Sequence, residues 1–174
     1  MRALGPGSVS SFLKIILDVV FAALWISLGA VGLAVLAALL FSFNPDLFPA
    51  VMSADVAQVA TRGPLFAGLL QVFGLSIGGV LVIVHSLRRI FVTLTAGDPF
   101  HPHNVKRLRL IGLMLAALEL GRYAVWGLSP IMPWVKRVEP NINLTAWFSV
   151  LVVFVLAEVF REGARLRREA ELTI

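Results

Sequence analysis

From Val19 to Phe43 the chain runs for 25 residues without a charged side chain. Three further stretches are nearly as apolar: about Leu65 to Phe91, Leu108 to Met132 and Leu144 to Phe160. A bilayer core about 30 Å thick needs roughly 20 helical residues at about 1.5 Å each. Inside it every peptide group needs a hydrogen-bond partner within the protein, which selects helices for segments of this length. The expected fold is therefore all-α, a four-helix transmembrane bundle. Composition agrees. Charged residues are 14% of the chain and hydrophobic ones 59%, with a mean hydropathy of +0.90. A soluble domain carries roughly 25% charged residues and has no comparable way to cover so much apolar surface.

Residues 1–10 read as a flexible tail, and residues 11–174 as a single four-span membrane domain. The first apolar run exceeds the roughly 7–15 residues of a signal-peptide core, so it reads as an uncleaved anchor. The net charge of +5 and sequence pI near 10.7 would suggest nucleic acid in a soluble protein. Here the basic residues cluster at the ends of apolar runs, where they suit lipid headgroups, so direct nucleic-acid binding is not expected. Arg2 and Lys14 precede the first span. Arg88, Arg89, Lys106, Arg107 and Arg109 flank the middle loop, and Arg161, Arg165, Arg167 and Arg168 follow the fourth span. The first loop offers only Arg62 beside Asp46 and Asp55, and the third has Lys136 and Arg137 beside Glu139. The basic excess predicts both termini and the middle loop on the cytoplasmic side. Trp134 and Trp147 flank the outer third loop, where interfacial aromatics belong. With no cysteine, disulfides, thiolate metal sites and cysteine nucleophiles are excluded.

Within the spans, Glu119 and Arg122 stand out. Three residues apart on one helix face, they read as an ion pair directed into the bundle or a hydrated crevice, because charge on lipid is costly. A structural anchor and a transport site are both open readings. Lys14 and Asp18 sit at a membrane edge, and Asp18 is a candidate partner for Arg88 or Arg89. Gly74 and Gly78 form a small-xxx-small motif for close helix packing, with Ala30, Ala34 and Ala38 of the first span as the matching ridge. Thr61 reads as the cap of the second span and Pro64 falls in its first turn.

The middle loop contains Gly97, Asp98 and Pro99, a strong turn signal. Phe100 is expected to fold back onto the bundle or the headgroup region, and Asn104 to cap the third span. His101 and His103 with Asp98 form only a weak metal pattern. In the tail, residues 161–174, helical charge spacings link Glu158, Arg161, Glu162, Arg165 and Glu169. These predict a short cytoplasmic helical extension, with Gly163 as a candidate bend.

The turn Gly97-Asp98-Pro99-Phe100 with Asn104, Arg107, Arg109, Ile111 and Gly112 is followed by a patterned C-terminus. That pattern runs through Ala157, Glu158, Phe160, Arg161, Gly163 and Leu166 to Glu171, Leu172, Thr173 and Ile174. Together these motifs resemble the DUF2975 family of small bacterial membrane proteins, whose biochemical function is not established. The resemblance runs from the first span to the last residue. It implies a bacterial inner-membrane location. The family's tail usually reads closer to L-R-E-E-Q-E-L-T, and here Arg168 and Ala170 stand at an acidic and an amide position. Some members are encoded beside a small helix-turn-helix regulator, which implies a regulatory partnership. The family carries over no catalytic residues.

The leading functional expectation is a non-enzymatic protein that acts in regulation or signalling through a protein partner at its cytoplasmic face. The alternative is a small transporter or channel-like protein that uses Glu119 and Arg122. Lipid is the expected surroundings, self-association a further candidate, and no cofactor or metal is expected. A membrane enzyme ranks third, since nucleophile and metal arrangements are lacking.

Overall fold

The computed structural model describes residues 9–43, 63–128 and 141–172. Among the described residues the architecture is all-α with four helices: α1 (Val9–Phe43), α2 (Gly63–Thr95), α3 (Pro102–Leu128) and α4 (Leu144–Glu171). Three of them, over Phe12–Leu40, Ala67–Thr95 and Leu144–Ala170, are long and apolar enough to cross a membrane. The third predicted span, α3, is not among them. It carries Lys106, Arg107 and Arg109 in its first turns and Glu119 and Arg122 farther along. Thr61, Asp46, Asp55, Arg62, Trp134, Lys136, Arg137, Glu139, Thr173 and Ile174 lie outside the described residues, as does Arg2.

The helices exceed the apolar runs that announce them. α1 begins ten residues before Val19, because Lys14 and Asp18 at i,i+4 spacing are as compatible with helix as the apolar residues around them. α4 starts where expected. Asn143 caps it, its side chain accepting from the Ala146 amide at 3.2 Å, and the helix runs on to Glu171.

The described residues divide into two compact units. One takes the chain up to Val20 together with everything from Val82 onward, and the other is Phe21–Leu81. In the second unit, large apolar side chains face outward, as Ile26 does at 74% exposure. That is the expected surface of a helix solvated by lipid. A Cβ at Gly74 would lie 3.3 Å from a methyl of Val31, whereas one at Gly78 would meet open space. Half of the small-residue motif thus makes a close helix contact, and it does so against Val31 rather than the predicted alanine ridge.

In the first unit, Ile90 of α2, Leu108 and Ile111 of α3 and Ala157 of α4 form the buried core. Ile83, Leu87, Leu115, Val153 and Phe160 surround it. α3 and α4 run antiparallel, since contacts at Arg109, Gly112 and Tyr123 meet Glu158, Phe154 and Trp147 in reverse order. Their approach depends on small residues. A Cβ at Gly112 would sit 3.0 Å from the Phe154 ring. Lipid tails provide no hydrophobic contrast, so tight van der Waals packing of this kind holds membrane helices together.

Candidate functional site: a clasp between turn and tail

The reversal between α2 and α3 is built from its backbone outward. Gly97 takes a positive φ of 82°, which a residue with a Cβ rarely adopts. Its amide donates to the Leu94 carbonyl at 3.1 Å, and the Asp98 amide donates to the Thr93 carbonyl at 3.0 Å. These two bonds make a Schellman motif that satisfies the last carbonyls of α2, and Pro99 then prevents the helix from resuming. Pro102 opens α3 at the position where its missing amide hydrogen costs nothing. His101 holds the cap position: its carbonyl accepts from the Asn104 amide at 2.8 Å and its Nδ1 from the His103 amide at 3.2 Å. Asn104 is therefore not the cap. Proline starts the helix earlier than expected and leaves Asn104 inside its first turn.

Its position makes Asn104 more important to the turn. It is wholly buried, at 0% exposure. Its Nδ2 donates to Thr93 Oγ1 at 2.7 Å and to the Pro99 carbonyl at 3.0 Å, while its Oδ1 accepts from Arg107 at 3.1 Å. Thr93 in turn donates to the Ile90 carbonyl at 2.7 Å, and Arg107 also reaches the Arg89 carbonyl at 3.1 Å. One amide thus ties the end of α2, the turn and the start of α3 together, with both of its N–H donors used and its oxygen accepting.

The tail closes over this turn. Phe100 packs beside Phe160, ring centroids 5.6 Å apart, and its edge lies against Gly163, where a Cβ would come within 2.5 Å of the ring. Gly163 is consequently a notch that admits Phe100. α4 continues through it as helix. Arg167 donates to Asp98 at 2.5 Å, joining residues 69 apart in sequence. Arg109 approaches Glu158 at 3.6 Å, and Glu158 also pairs with Arg161. Farther along, Arg165 bridges Glu162 at 3.0 Å and Glu169 at 3.2 Å. Leu166 and Leu172 point outward. Glu171 ends α4, and Thr173 lies outside the described residues.

Sequence reasoning singled out most members of this clasp but missed two. Arg167 appeared only among the basic residues that orient the tail. Thr93 carried no local signal that separates it from Thr95, which bonds back to its own helix at Phe91 and Val92. His101 and His103 stack at 4.9 Å, and no group of three or more His, Cys, Asp or Glu gathers among the described residues.

The pair inside α3 is a separate feature. Arg122 forks onto Glu119, with Nε to Oε2 at 3.2 Å and Nη2 to Oε1 at 2.5 Å, and Nη2 also reaches the Asn141 carbonyl at 2.8 Å. Glu119 is buried at 8% exposure. Beside them Trp147 donates to the Tyr123 hydroxyl at 3.2 Å. A bidentate arginine–carboxylate pair fixes orientation as well as charge, and here it holds the start of α4 against α3. At the other end of the unit, Arg88 meets Asp18 at 2.6 Å, the pairing foreseen for Asp18.

Long helices that turn apolar side chains outward define a helical, multi-span membrane protein whose lipid-facing surface is explicit. A family model described as a protein of unknown function, DUF2975, matches residues 48–174. That is most of the chain, and the protein belongs to the DUF2975 family. The match begins after α1, so the first helix, which the sequence resemblance had included, lies outside it. Comparison with curated proteins and with solved structures gives no match.

Proposed function

We propose that the protein is a non-enzymatic regulatory component of a bacterial inner membrane that presents a docking face for a cytoplasmic protein partner. In this reading residues 11–174 form one four-span domain, α3 is the third span, both termini are cytoplasmic, and residues 161–174 are the exposed extension. The basic residues around the middle loop and tail support that orientation. The observation that carries the proposal is the clasp itself: turn and tail, distant in sequence, converge at one end through Phe100, Gly163, Asp98 and Arg167. The clasp holds the last turns of α4 in a fixed position, with Arg161, Arg165, Leu166 and Leu172 directed outward. Fixed, mixed-charge helical surfaces with exposed aliphatic side chains suit protein docking, because little ordering entropy is lost on binding. The helix-turn-helix regulators encoded beside some family members are the partner class to examine first. The closed Glu119–Arg122–Asn141 arrangement favours the anchor role over the transport role.

The test is crosslinking and affinity capture from native membranes, comparing the intact chain with Leu166→Glu/Leu172→Glu. A cytoplasmic protein recovered with the intact chain and lost from the variant at equal membrane abundance supports the proposal. Identical recovery from both, or loss that only follows lower abundance, refutes it.

A further inference from the structure

The N-terminal part of α1 and the last turns of α2 line an open-sided cavity of about 240 Å³ within the first unit, many times the space one water molecule needs. Its charged lining is unbalanced. Lys14, Arg88 and Arg89 contribute three cations, and Asp18, bonded to Arg88, contributes one anion. Phe91 and Val92 supply an apolar wall. The apolar segments of α1 and α2 begin at Phe12 and end at Thr95. Lys14 therefore lies about 3 Å, and Arg88 about 10 Å, along its helix from the end of an apolar segment. That is the depth at which lipid phosphates meet a protein.

We propose that this cavity binds the phosphodiester headgroup of an anionic phospholipid. Guanidinium groups suit phosphate oxygens through directed, charge-assisted hydrogen bonds, and basic pockets between membrane helices are the usual form of headgroup sites. The lysine adds a flexible point charge at the rim. Leu17, nearly a turn deeper than Lys14 on α1, also lines the cavity and offers contact to the acyl-chain side. A soluble phosphate would gain nothing from that apolar wall, so the site favours the lipid source. Asp18 tempers the site by holding Arg88, which sets its affinity below that of an all-cation pocket. This proposal depends neither on the docking reading nor on which side of the membrane the cavity faces.

The experiment measures lipid retention by native mass spectrometry on the full chain in detergent, titrated with phosphatidylglycerol or phosphatidylcholine. Phosphatidylglycerol should be retained preferentially and should resist millimolar inorganic phosphate. Lys14→Gln/Arg89→Gln should weaken it by roughly thirtyfold, at about fivefold per charge. Arg161→Gln/Arg165→Gln, on α4 and outside the cavity, should leave it unchanged. Asp18→Asn removes the only acid lining the cavity among the described residues and should tighten binding, a gain that misfolding does not produce. Equal retention by wild type and Lys14→Gln/Arg89→Gln overturns the proposal. So does a failure of Asp18→Asn to tighten binding. Displacement by inorganic phosphate without preference for phosphatidylglycerol over phosphatidylcholine overturns the lipid assignment in favour of a soluble anion.

Discussion

Gly163→Ala adds one methyl group to the tail, yet it tests whether the clasp exists. On the α4 backbone that methyl would lie 2.5 and 2.6 Å from two carbons of the Phe100 ring. Carbon atoms normally rest about 3.5–4.0 Å apart, so the ring must retreat by roughly 1 Å. Phe160 sits beside it at 5.6 Å and limits the retreat. Overpacking of this kind costs about 1–3 kcal/mol. Against it stands a helix-propensity gain of about 0.5–1 kcal/mol for replacing a mid-helix glycine. At the middle of both ranges the expected net result is loosening of the tail by about 1 kcal/mol. In a Phe100→Ala background the clash is absent, and the same substitution should tighten the helix by about 0.5–1 kcal/mol. Hydrogen exchange of the amides between residues 164 and 170 in detergent micelles reads this local opening directly. Exchange should accelerate with Gly163→Ala alone and slow when Phe100→Ala accompanies it, with a tenfold rate change for each 1.4 kcal/mol or so. If Gly163→Ala slows exchange in both backgrounds, Phe100 does not occupy the notch and the clasp reasoning fails.

Two further outcomes follow from the same geometry. Asn104→Ala should destabilise the fold by about 2–3 kcal/mol, because it strips buried partners from Thr93, Pro99 and Arg107; thermal unfolding monitored by circular dichroism checks it, and a loss under about 0.5 kcal/mol would contradict the network. Arg122→Met should lower membrane abundance more than Arg122→Met/Glu119→Gln does, since the single change leaves a buried carboxylate alone while the double removes the charge; equal losses would count against the anchor role.

The helices were legible because predominantly apolar runs of this length have few alternatives, and the i,i+3 spacing of Glu119 and Arg122 made their pairing readable as well. Their third partner was not. Asn141 offers a backbone carbonyl, and a carbonyl has no residue identity to read. The ends of the helices were less legible for a related reason. A hydropathy run marks where lipid is, whereas a helix continues wherever local spacing allows, as at Lys14 and Asp18. Asn104 was recognised as important and given the wrong task, since Pro102 decides where α3 starts and a buried amide needs partners from three segments at once. Gly163 allowed two readings, a bend or a notch. Only the position of Phe100, 63 residues earlier in the chain, separates them.

The placement of the motif residues changes how a functional experiment on them should be interpreted. Gly97 is fixed by its backbone angle, Asn104 by its hydrogen bonds, and Phe100 and Gly163 by each other. Each has a task inside the fold, even where part of its surface stays open, as it does for Phe100 at 37% exposure. Their replacement disturbs the position of the tail, and any loss of partner binding would follow from that. Arg161, Arg165, Leu166 and Leu172 are exposed, and their replacement leaves the Phe100–Gly163 contact and the Asn104 network untouched. A regulatory role read through the tail must therefore be sensitive to both sets in different ways. Changes in the clasp residues should move tail opening and partner recovery together, whereas changes at Arg161, Arg165, Leu166 and Leu172 should move partner recovery alone. That separation distinguishes a face held in place for recognition from a tail that serves only to finish the fold.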